Sequence, residues 1–542
     1  MQPFHVLIAE LRRRRVFRAL LFWCVLSFAV LQVYEPVMHG LRLPDWTLSF
    51  VVVILGLGLP ATAGLAWVFD LKATGLERTA PLVARAATAG PSVAVLPFLN
   101  LSSDKEQDYF SDGVAEEILN ALAHVEGLRV IGRTSSFAMK GRSEDLRAIA
   151  ARLDAANLLE GSVRKAGARV RITAQLIAAA SGSHLWSEEF DGDLGDVFGV
   201  QERIAHAVVV ALRLRLLPAT APGRTTPSGE AHDLLLQGRT ALARGSGDAF
   251  GRALEVLRRA VELEPAYAPA WAELATAHYL AADQDPRWDP KVEWPRALAA
   301  AEQAIALAPA LADGYVARAR LRQTILFDWP GARTDLEQAR ALSPGTPTIL
   351  SEYAALLTTL GRLPEAIAAL QQAALLDPLS AEVQTELALA YLGTGGFQQA
   401  EAAALRALGH SSEHTRAART LGFALMLQGR LPEALAAFHR AANVFYNDMG
   451  DAMVEHALGR PAEAAQALRR VLASPVVRKG SYQVAQVYAW LGDAGAAFEW
   501  LGAAVEEHDP GLTHLKPDPV MRPLRGDPRY RALLVTLNLP LE

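Results

Sequence analysis

The hexapeptide Gly361-Arg362-Leu363-Pro364-Glu365-Ala366 occurs a second time in this chain, at residues 429–434. The two copies begin 68 residues apart, which is twice 34, and residues 395–400 (Gly-Gly-Phe-Gln-Gln-Ala) stand halfway between them in the same register. A period of 34 residues is typical of a solenoid built from helix–turn–helix units. Each copy is therefore predicted to form the turn between two helices and the first buried alanine of the second helix.

The residues around these turns resemble the tetratricopeptide repeat. In that pattern small residues at positions 8, 20 and 27 let the helices approach closely, and a glycine near position 15 allows the tight turn. The repeat that starts at Pro347 matches throughout, with Ala354, Leu357, Gly361, Ala366, Leu370, Ala373 and Pro378. Repeats starting at Ala381 and Thr415 keep the register. Weaker copies on both sides predict about eight repeats over residues 230–509, clearest over 347–448, followed by a C-terminal cap at 510–542.

The resemblance also implies a binding groove. In tetratricopeptide proteins the concave groove is lined mainly by positions 5, 9 and 12 of the first helix of each repeat. Carried over to this chain, the candidate groove residues are Ser351, Ala355, Thr358, Thr385, Leu389, Leu392, Arg419, Phe423 and Met426. Such a groove fits an extended peptide or a helix of a partner protein. The alternative is that several of these side chains only pack against the next repeat.

Composition and charge narrow the class of protein. The chain has 542 residues, 51% of them apolar, and a net charge of −5, which does not predict a bulk nucleic-acid binder. Its one cysteine, Cys24, excludes a disulfide framework and a cysteine metal site.

Two apolar runs near the N-terminus predict a membrane hairpin within residues 1–70. Ala19 to Tyr34 is sixteen residues without a charge, and Trp46 to Phe69 is twenty-four. At about 1.5 Å per residue the second run reaches about 36 Å, enough to cross a hydrocarbon core of about 30 Å. We expect helices at about 16–35 and 46–69, and a linker at 71–90.

The distribution of basic residues predicts the orientation of this hairpin. Arg12–Arg15 and Arg18 precede the first run, only Arg42 lies between the runs, and Lys72, Arg78 and Arg85 follow the second. Because Lys and Arg favour the cytoplasmic side, both ends are predicted to be cytoplasmic, with the protein in the inner membrane of a bacterium. The alternative is a periplasmic location of the remainder of the chain.

Residues 91–217 predict an α/β domain, followed by a linker at 218–229. A short β-type run at Ser92–Phe98 precedes a helical pattern that Asp112 opens, and the elements continue in the order β-α-β-α-β-β-(β)-α. In the strand that starts at Arg169, apolar and polar residues alternate, so one face is predicted to be buried: Val170, Ile172, Ala174 and Leu176.

Ordered motifs in this segment resemble the TolB-like amino-terminal (FlgO-related) domain. They are residues 92–98, 100–102, 109–113 (Tyr-Phe-Ser-Asp-Gly), 133–137 (Arg-Thr-Ser-Ser-Phe), 159–163 (Leu-Glu-Gly-Ser-Val) and 184–188 (His-Leu-Trp-Ser-Glu). Many bacterial proteins carry this domain between a membrane anchor, a regulator or a cyclase domain and a tetratricopeptide array. The resemblance implies a signalling or assembly module without agreed catalytic residues.

Few residues suggest chemistry. An acidic stretch offers a possible metal cluster, but acids in a first helical turn, with Asp112 as the cap, explain it better: Asp104, Glu106, Asp108, Asp112, Glu116 and Glu117. The chain has no phosphate-binding Gly-Lys motif, no His-Glu-x-x-His and no nucleophile elbow. We therefore predict no catalytic, cofactor or metal site.

These observations predict a multidomain, membrane-anchored adaptor with a transmembrane hairpin, an α/β domain and an all-α tetratricopeptide solenoid. Its partners would be the membrane and a protein or peptide. Two alternatives remain open. The α/β domain could bind a small molecule or nucleotide, with the repeats as output, or it could carry an uncharacterised enzyme activity.

Overall fold

The computed structural model describes residues 91–102, 107–125, 127–142, 144–166, 169–193, 197–212, 228–244, 248–285, 287–441 and 443–541. It also describes single residues and short stretches between 23 and 78. The chain divides into two compact units, Met1–Gly90 and Pro91–Glu542.

In the first unit, the described residues between 23 and 32 and between 50 and 62 are helical. The two stretches touch, because the indole Nε1 of Trp23 donates to the carbonyl oxygen of Leu55 at 3.1 Å. Strands β1 (Phe69–Lys72) and β2 (Gly75–Arg78) form an antiparallel hairpin where the sequence predicts the end of a helix and a linker. None of the helices in the described part is both long and apolar enough to span a bilayer. The predicted spans lie largely outside the described residues.

The second unit begins with an α/β domain. Its strands are β3 (Ser92–Val95), β4 (Leu99–Asn100), β5 (Arg129–Val130), β6 (Asn157–Ala166), β7 (Arg169–Ala178) and β8 (Ser183–Asp193). Its helices are α1 (Asp108–Ala123), α2 (Arg133–Phe137), α3 (Leu146–Leu153) and α4 (Val197–Ala211). The sheet order is β5-β3-β6-β7-β8, with β4 beside β6. Strand β3 is parallel to β5 and β6, whereas β6, β7 and β8 are antiparallel.

Alternation along the strands places a core on each face of this sheet. Val93 and Val95 of β3 pack with α1 and α4, while Ala94 packs with α3 on the opposite face. The alternating residues of β7 are buried in the first of these cores, as the sequence predicts: Val170, Ile172, Ala174 and Leu176. The prediction that Asp112 opens helix α1 is wrong. The helix begins at Asp108, and the carboxylate of Asp112 accepts a hydrogen bond from Lys140 Nζ at 2.6 Å.

Residues 229–506 form eight consecutive helix pairs. The first helices of the pairs are α5 (Gly229–Arg244), α7 (Ala268–Gln284), α9 (Ala312–Thr324), α11 (Pro347–Thr359), α13 (Ala381–Thr394), α15 (Thr415–Leu427), α17 (Val444–Ala457) and α19 (Ser481–Leu491). The second helices are α6 (Ala249–Leu263), α8 (Pro290–Leu307), α10 (Trp329–Leu342), α12 (Leu363–Leu376), α14 (Phe397–His410), α16 (Leu431–Phe438), α18 (Pro461–Leu472) and α20 (Ala494–Glu506).

The packing within these pairs explains the repeated hexapeptide. Gly361 and Gly429, its first residues, have φ angles of +81° and +77°, which residues with a Cβ adopt only with strain. Ala366 and Ala434, its last residues, are fully buried at the start of the second helix. The hexapeptide is therefore a turn followed by a packing contact, and it contributes no functional group.

The chain after α20 folds back along the array. We call residues 510–541 the C-terminal strap. It consists of two 3₁₀ segments, Pro510–His514 and Arg522–Leu524, and helix α21, Pro528–Thr536. The first 3₁₀ segment contacts α9 and α11 as well as α19 and α20. The strap therefore extends beyond the last repeat, which the sequence predicts it to cap, and joins that repeat to the third and fourth.

Candidate functional site

The first helices of the pairs form the inner side of the array. Each of them contacts the first helix of the next pair, from α5 to α19. A stack of repeats is shorter on the side where neighbouring helices touch, so this side is concave. A partner that binds in the groove would face these helices.

The structure places the predicted groove residues partly inside the array. Leu389, Ala355, Ser351 and Arg419 are half-buried, whereas the others are buried: Thr358, Thr385, Leu392, Phe423 and Met426. The hydroxyls of Thr358 and Thr385 donate to carbonyl oxygens one helical turn earlier, at 2.9 and 2.7 Å. Partner binding by these residues stays a prediction.

Phe423 and Arg419 show what the predicted residues contact. The ring of Phe423 meets the ring of Phe438 edge-on, with centroids 5.4 Å apart, inside the same helix pair. The guanidinium of Arg419 lies 4.8 Å from the ring centroid of Tyr446 in the next pair. Arg419 therefore packs against the next repeat, as the alternative stated above has it, whereas Phe423 packs within its own repeat.

The strap runs past the turns that end the first helices. Lys516 Nζ lies 3.5 Å from the carbonyl oxygen of Leu360, beside the first copy of the hexapeptide. Arg522 reaches the carbonyl oxygen of Gly393 at the same distance. Val520 is fully buried in the cluster that contains Leu392 and other predicted groove residues. Part of the concave side is therefore occupied by the chain itself.

Helix α19 holds the strap through buried hydrogen bonds. The backbone N–H of Tyr482 donates to Asp509 at 2.9 Å, and its hydroxyl donates to Asp518 at 2.8 Å. Gln486 Nε2 also donates to Asp518, at 2.6 Å. Burial raises the pKa of the Asp509 carboxyl to about 6 and raises the pKa of Asp518.

Aromatic residues hold the far end of the strap against the third repeat. The indole Nε1 of Trp329 donates to the carbonyl oxygen of Leu537 at 2.7 Å. His508, which precedes the strap, stacks on Phe327 with a centroid distance of 5.7 Å. These contacts fix both ends of the strap.

Charged side chains on the first helices form ion pairs between neighbouring repeats. We call Arg320, Glu352, Glu382, Glu386 and Arg416 the charged belt. Arg320 pairs with Glu352 in the next repeat, and Arg416 pairs with both glutamates of α13. The side chain of Glu382 is 52% exposed, while that of Glu386 is 11% exposed. The belt thus crosses the third to sixth repeats.

The α/β domain lies against the turns between successive pairs. The backbone N–H of Gly132 donates to the carbonyl oxygen of Leu376 at 2.6 Å, and the N–H of Leu379 donates to Ser135 Oγ at 2.8 Å. The side chain of Asp377 accepts the N–H of Ser135 at 2.7 Å, and burial raises its pKa. Helix α2 of the α/β domain is therefore held by the turn between α12 and α13.

A second contact joins the α/β domain to the first two pairs. Arg239 of α5 reaches Glu117 of α1 at 2.6 Å and Glu273 of α7 at 2.7 Å. The hydroxyl of Tyr109 donates to Asp233 at 2.9 Å. Leu236 completes the α/β core, and a Cβ at Gly113 would lie 2.5 Å from its side chain. The α/β domain and the array thus share a core.

The sequence predicts the C-terminal cap at 510–542, but neither its reach to the third and fourth repeats nor the charged belt. The belt occupies positions 2 and 6 of the clearest repeats, where Glu352, Glu382, Glu386 and Arg416 give a visible signal of alternating charge. The strap carries prolines at 510, 517, 519, 523 and 528 with large apolar residues between them, a pattern that excludes a regular helix before residue 528.

Within the described residues, no group of three or more His, Cys, Asp or Glu side chains is arranged to hold a metal ion.

Part of the array of helix pairs matches models of a known repeat family. Models of the tetratricopeptide repeat match residues 326–390 and 385–452. Residues 326–452 are tetratricopeptide repeats. These matches include the belt residues of α11, α13 and α15 and the candidate groove residues predicted from the sequence.

A curated relative shares a segment of the chain. It is named Putative adenylate cyclase 3, from Rhizobium meliloti (strain 1021), and is 43% identical over 192 residues. The shared segment covers 34% of this chain and 32% of the relative, so the chain spans about a third of that protein's length.

Solved structures with similar repeats show weak overall likeness. PilW, described as a widely conserved type IV pilus biogenesis factor, has 20% identity and a TM-score of 0.33, over 39% of this chain and 96% of its own. PilF of Pseudomonas aeruginosa has 18% identity and a TM-score of 0.32, over 39% and 92%. YrrB, described as a tetratricopeptide protein with an unusual peptide-binding site, has 16% identity and a TM-score of 0.27, over 40% and 99%. At these identities the likeness concerns the fold alone.

Proposed function

We propose that this protein is a membrane-anchored scaffold that binds a protein or peptide on the concave side of its tetratricopeptide array. The charged belt carries the proposal. Its side chains project from four consecutive first helices, and Glu382 keeps half of its surface accessible although it pairs with Arg416. An ion pair with such exposure contributes little to stability, so we infer that the Glu382 carboxylate, at the exposed end of the belt, serves recognition.

The membrane anchor is the second part of the proposal. It is supported by the two apolar runs near the N-terminus and by the excess of Arg and Lys outside them. With both ends of the hairpin on the cytoplasmic side, the α/β domain and the array lie in the cytoplasm beneath the inner membrane. The resemblance of residues 91–217 to the TolB-like domain supports an assembly or signalling role.

Of the two proposed roles, assembly and signalling, the curated relative favours signalling. A segment of this chain is shared, at 43% identity, with a protein named as a putative adenylate cyclase. We propose that the shared segment is a common scaffold and that catalysis is a property of other residues of that relative. Formation of cyclic AMP from ATP by the purified chain would favour the enzyme alternative. The scaffold predicts none above the level of a heat-denatured sample.

Capture from native membranes tests the scaffold. Tagged wild-type chain, Glu382→Lys and a control, Glu337→Lys, are solubilised in mild detergent, and the co-purified proteins are quantified. The control is matched, because Glu337 is also a half-exposed glutamate paired with an arginine, Arg333, but lies on a second helix. We expect a partner that falls at least about tenfold with Glu382→Lys and is unchanged in the control. Equal capture by all three chains would contradict the proposed binding surface.

A further inference from the structure

The strap has the chemistry of a bound peptide. Before α21 it contains two short 3₁₀ segments, and prolines at 510, 517, 519 and 523 exclude a longer helix. Its large apolar side chains are buried against the array: Leu512, Leu515, Val520, Met521 and Leu524. Outside the 3₁₀ segments and α21, the described residues of the strap form mostly turns and bends, so the strap presents its apolar anchors from an irregular backbone.

The strap lies where a partner of the groove would lie. Its first 3₁₀ segment contacts the first helices α9, α11 and α19, and Val520 joins the cluster that contains Leu392 and Phe423. The neighbouring charged belt uses the same first helices, α9 and α11, together with α13 and α15. A second peptide cannot use the apolar part of the concave side while the strap is bound there.

Two buried polar atoms, where the strap and its connection meet the array, lack hydrogen-bond partners. The side-chain oxygen Oε1 of Gln486 is buried and has no hydrogen-bond partner, although the amide nitrogen of the same side chain donates to Asp518. His508 Nδ1 is also buried without a partner. Such groups weaken an interface that its apolar anchors strengthen.

We propose that the C-terminal strap is an intramolecular ligand of the tetratricopeptide groove and that the partner replaces it. This inference rests on the proposed function and names the class of partner. The partner presents an irregular segment with large apolar residues separated by prolines, and a carboxylate where Asp518 meets Tyr482 and Gln486.

The strap binds the array more readily than a separate partner does, because the two are parts of the same chain. Only three residues, 507–509, separate α20 from the first 3₁₀ segment. A ligand held by so short a connection has an effective concentration in the millimolar range, so a free segment of the same sequence competes poorly. Weakening the strap therefore raises the affinity for a segment supplied in solution.

A labelled synthetic peptide of residues 510–541 is the probe for this exchange. It is titrated against the wild-type chain, Leu512→Ala/Leu515→Ala and a control, Val535→Ala, whose side chain is 58% exposed. We expect the double variant to bind the peptide at least about 100-fold more tightly than either other chain, by fluorescence anisotropy. Equal affinity for all three chains would overturn the proposal.

A locked strap gives the opposite result. A Cβ at Gly393 would lie 3.0 Å from the Cβ of Pro517, so a shift of about 0.5 Å brings the pair to the separation of about 3.5 Å that a disulfide needs. In a Cys24→Ser background, Gly393→Cys/Pro517→Cys is expected to lose peptide binding when oxidised and to regain the wild-type affinity when reduced. Binding that is unaffected by oxidation would also overturn the proposal.

If the double variant does not fold, a specific protease site inserted at residues 507–509 replaces it. After cleavage, the fragment is expected to exchange with labelled peptide, and failure to exchange counts against the proposal. The capture experiment separates the two proposals. A strap that exchanges without any Glu382-dependent partner contradicts the scaffold, whereas a Glu382-dependent partner with a strap that does not exchange contradicts only the intramolecular ligand.

Discussion

The carboxylate of Asp377, in a turn of the repeat array, accepts the backbone N–H of Ser135 in the α/β domain at 2.7 Å. The two residues are 242 positions apart in the chain. Because Ser135 lies in the first turn of α2, Asp377 supplies from another domain the hydrogen-bond acceptor that a helix start requires. The α/β domain is thus attached to the array by a directional contact as well as by apolar packing.

Removal of this carboxylate should loosen the attachment. Asp377→Ala leaves the buried N–H of Ser135 without its acceptor, at a cost of about 1–3 kcal/mol. Thermal unfolding and limited proteolysis between residues 212 and 228 measure the effect. Asp289→Ala, which removes a side-chain cap inside the array at α8, is the control for cap loss alone. Faster cleavage in both variants would contradict a special role for Asp377.

The second attachment point should be more sensitive still. Arg239→Ala leaves Glu117 and Glu273 largely buried without their cation, and breaking such a pair costs about 3–5 kcal/mol. Arg333→Ala removes an exposed pair and should change stability by at most about 0.5 kcal/mol. The urea concentration at the midpoint of unfolding measures the stability of the two variants. If both variants unfolded at similar urea concentrations, the ion pairs of Arg239 with Glu117 and Glu273 would be exposed to solvent, contrary to the structure.

Close packing between helices predicts opposite effects of the same substitution. A Cβ at Gly422 would lie 2.8 Å from the ring of Phe438, so Gly422→Ala should cost about 1–3 kcal/mol. A Cβ at Gly502, inside α20, meets no atom of the described residues within 4 Å. Gly502→Ala should therefore stabilise the helix by up to about 1 kcal/mol. Unfolding midpoints that shift in the same direction would contradict this packing.

The attachment of the strap should respond to pH through Asp509, the residue immediately before it. Burial raises the folded-state pKa of Asp509 to about 6, against 3.8 for the free side chain. The folded chain binds this proton more tightly, so the stabilisation is complete below pH 3.8 and is lost as the pH rises through 6. Relative to Asp509→Asn, the wild type should lose about 2 kcal/mol between pH 4 and pH 7. If the difference in urea midpoint between the wild type and Asp509→Asn did not change with pH, the raised pKa of Asp509 would be contradicted.

The predicted orientation is tested in cells. Fusions of alkaline phosphatase and of β-galactosidase to the C-terminus report the side of the membrane, because the first is active only outside the cytoplasm. We expect an active β-galactosidase fusion and an inactive phosphatase fusion. The reverse pattern would place the array in the periplasm.

Local patterns allowed much of the fold to be predicted. The turn glycines Gly361 and Gly429 and the buried alanines Ala366 and Ala434 follow from short-range geometry, and the alternation in β7 follows from the two faces of a strand. The start of α1 is misplaced at Asp112 because that prediction overlooks Phe110, which continues the four-residue spacing of the buried Val114, Ile118 and Leu122.

The contacts that limit the candidate site depend on distant residues. Lys516 lies beside Leu360, 156 positions away, and no periodicity in either segment connects them. The resemblance to tetratricopeptide repeats pointed to positions 5, 9 and 12, but it did not foresee that the chain's own strap would cover part of that side. The charges at positions 2 and 6 are visible in the sequence, but their pairing depends on the packing of neighbouring repeats, which brings Arg320 and Arg416 beside glutamates.

Site-specific photo-cross-linking in living cells tests the central claim most directly. A photoreactive amino acid replaces Glu382 on the concave side and, in a separate chain, Glu337 on a second helix, which are 52% and 47% exposed. The scaffold predicts a discrete cross-linked protein at position 382 that is absent at position 337. The same cross-linked products at both positions, or none at position 382, would contradict partner binding on the concave side.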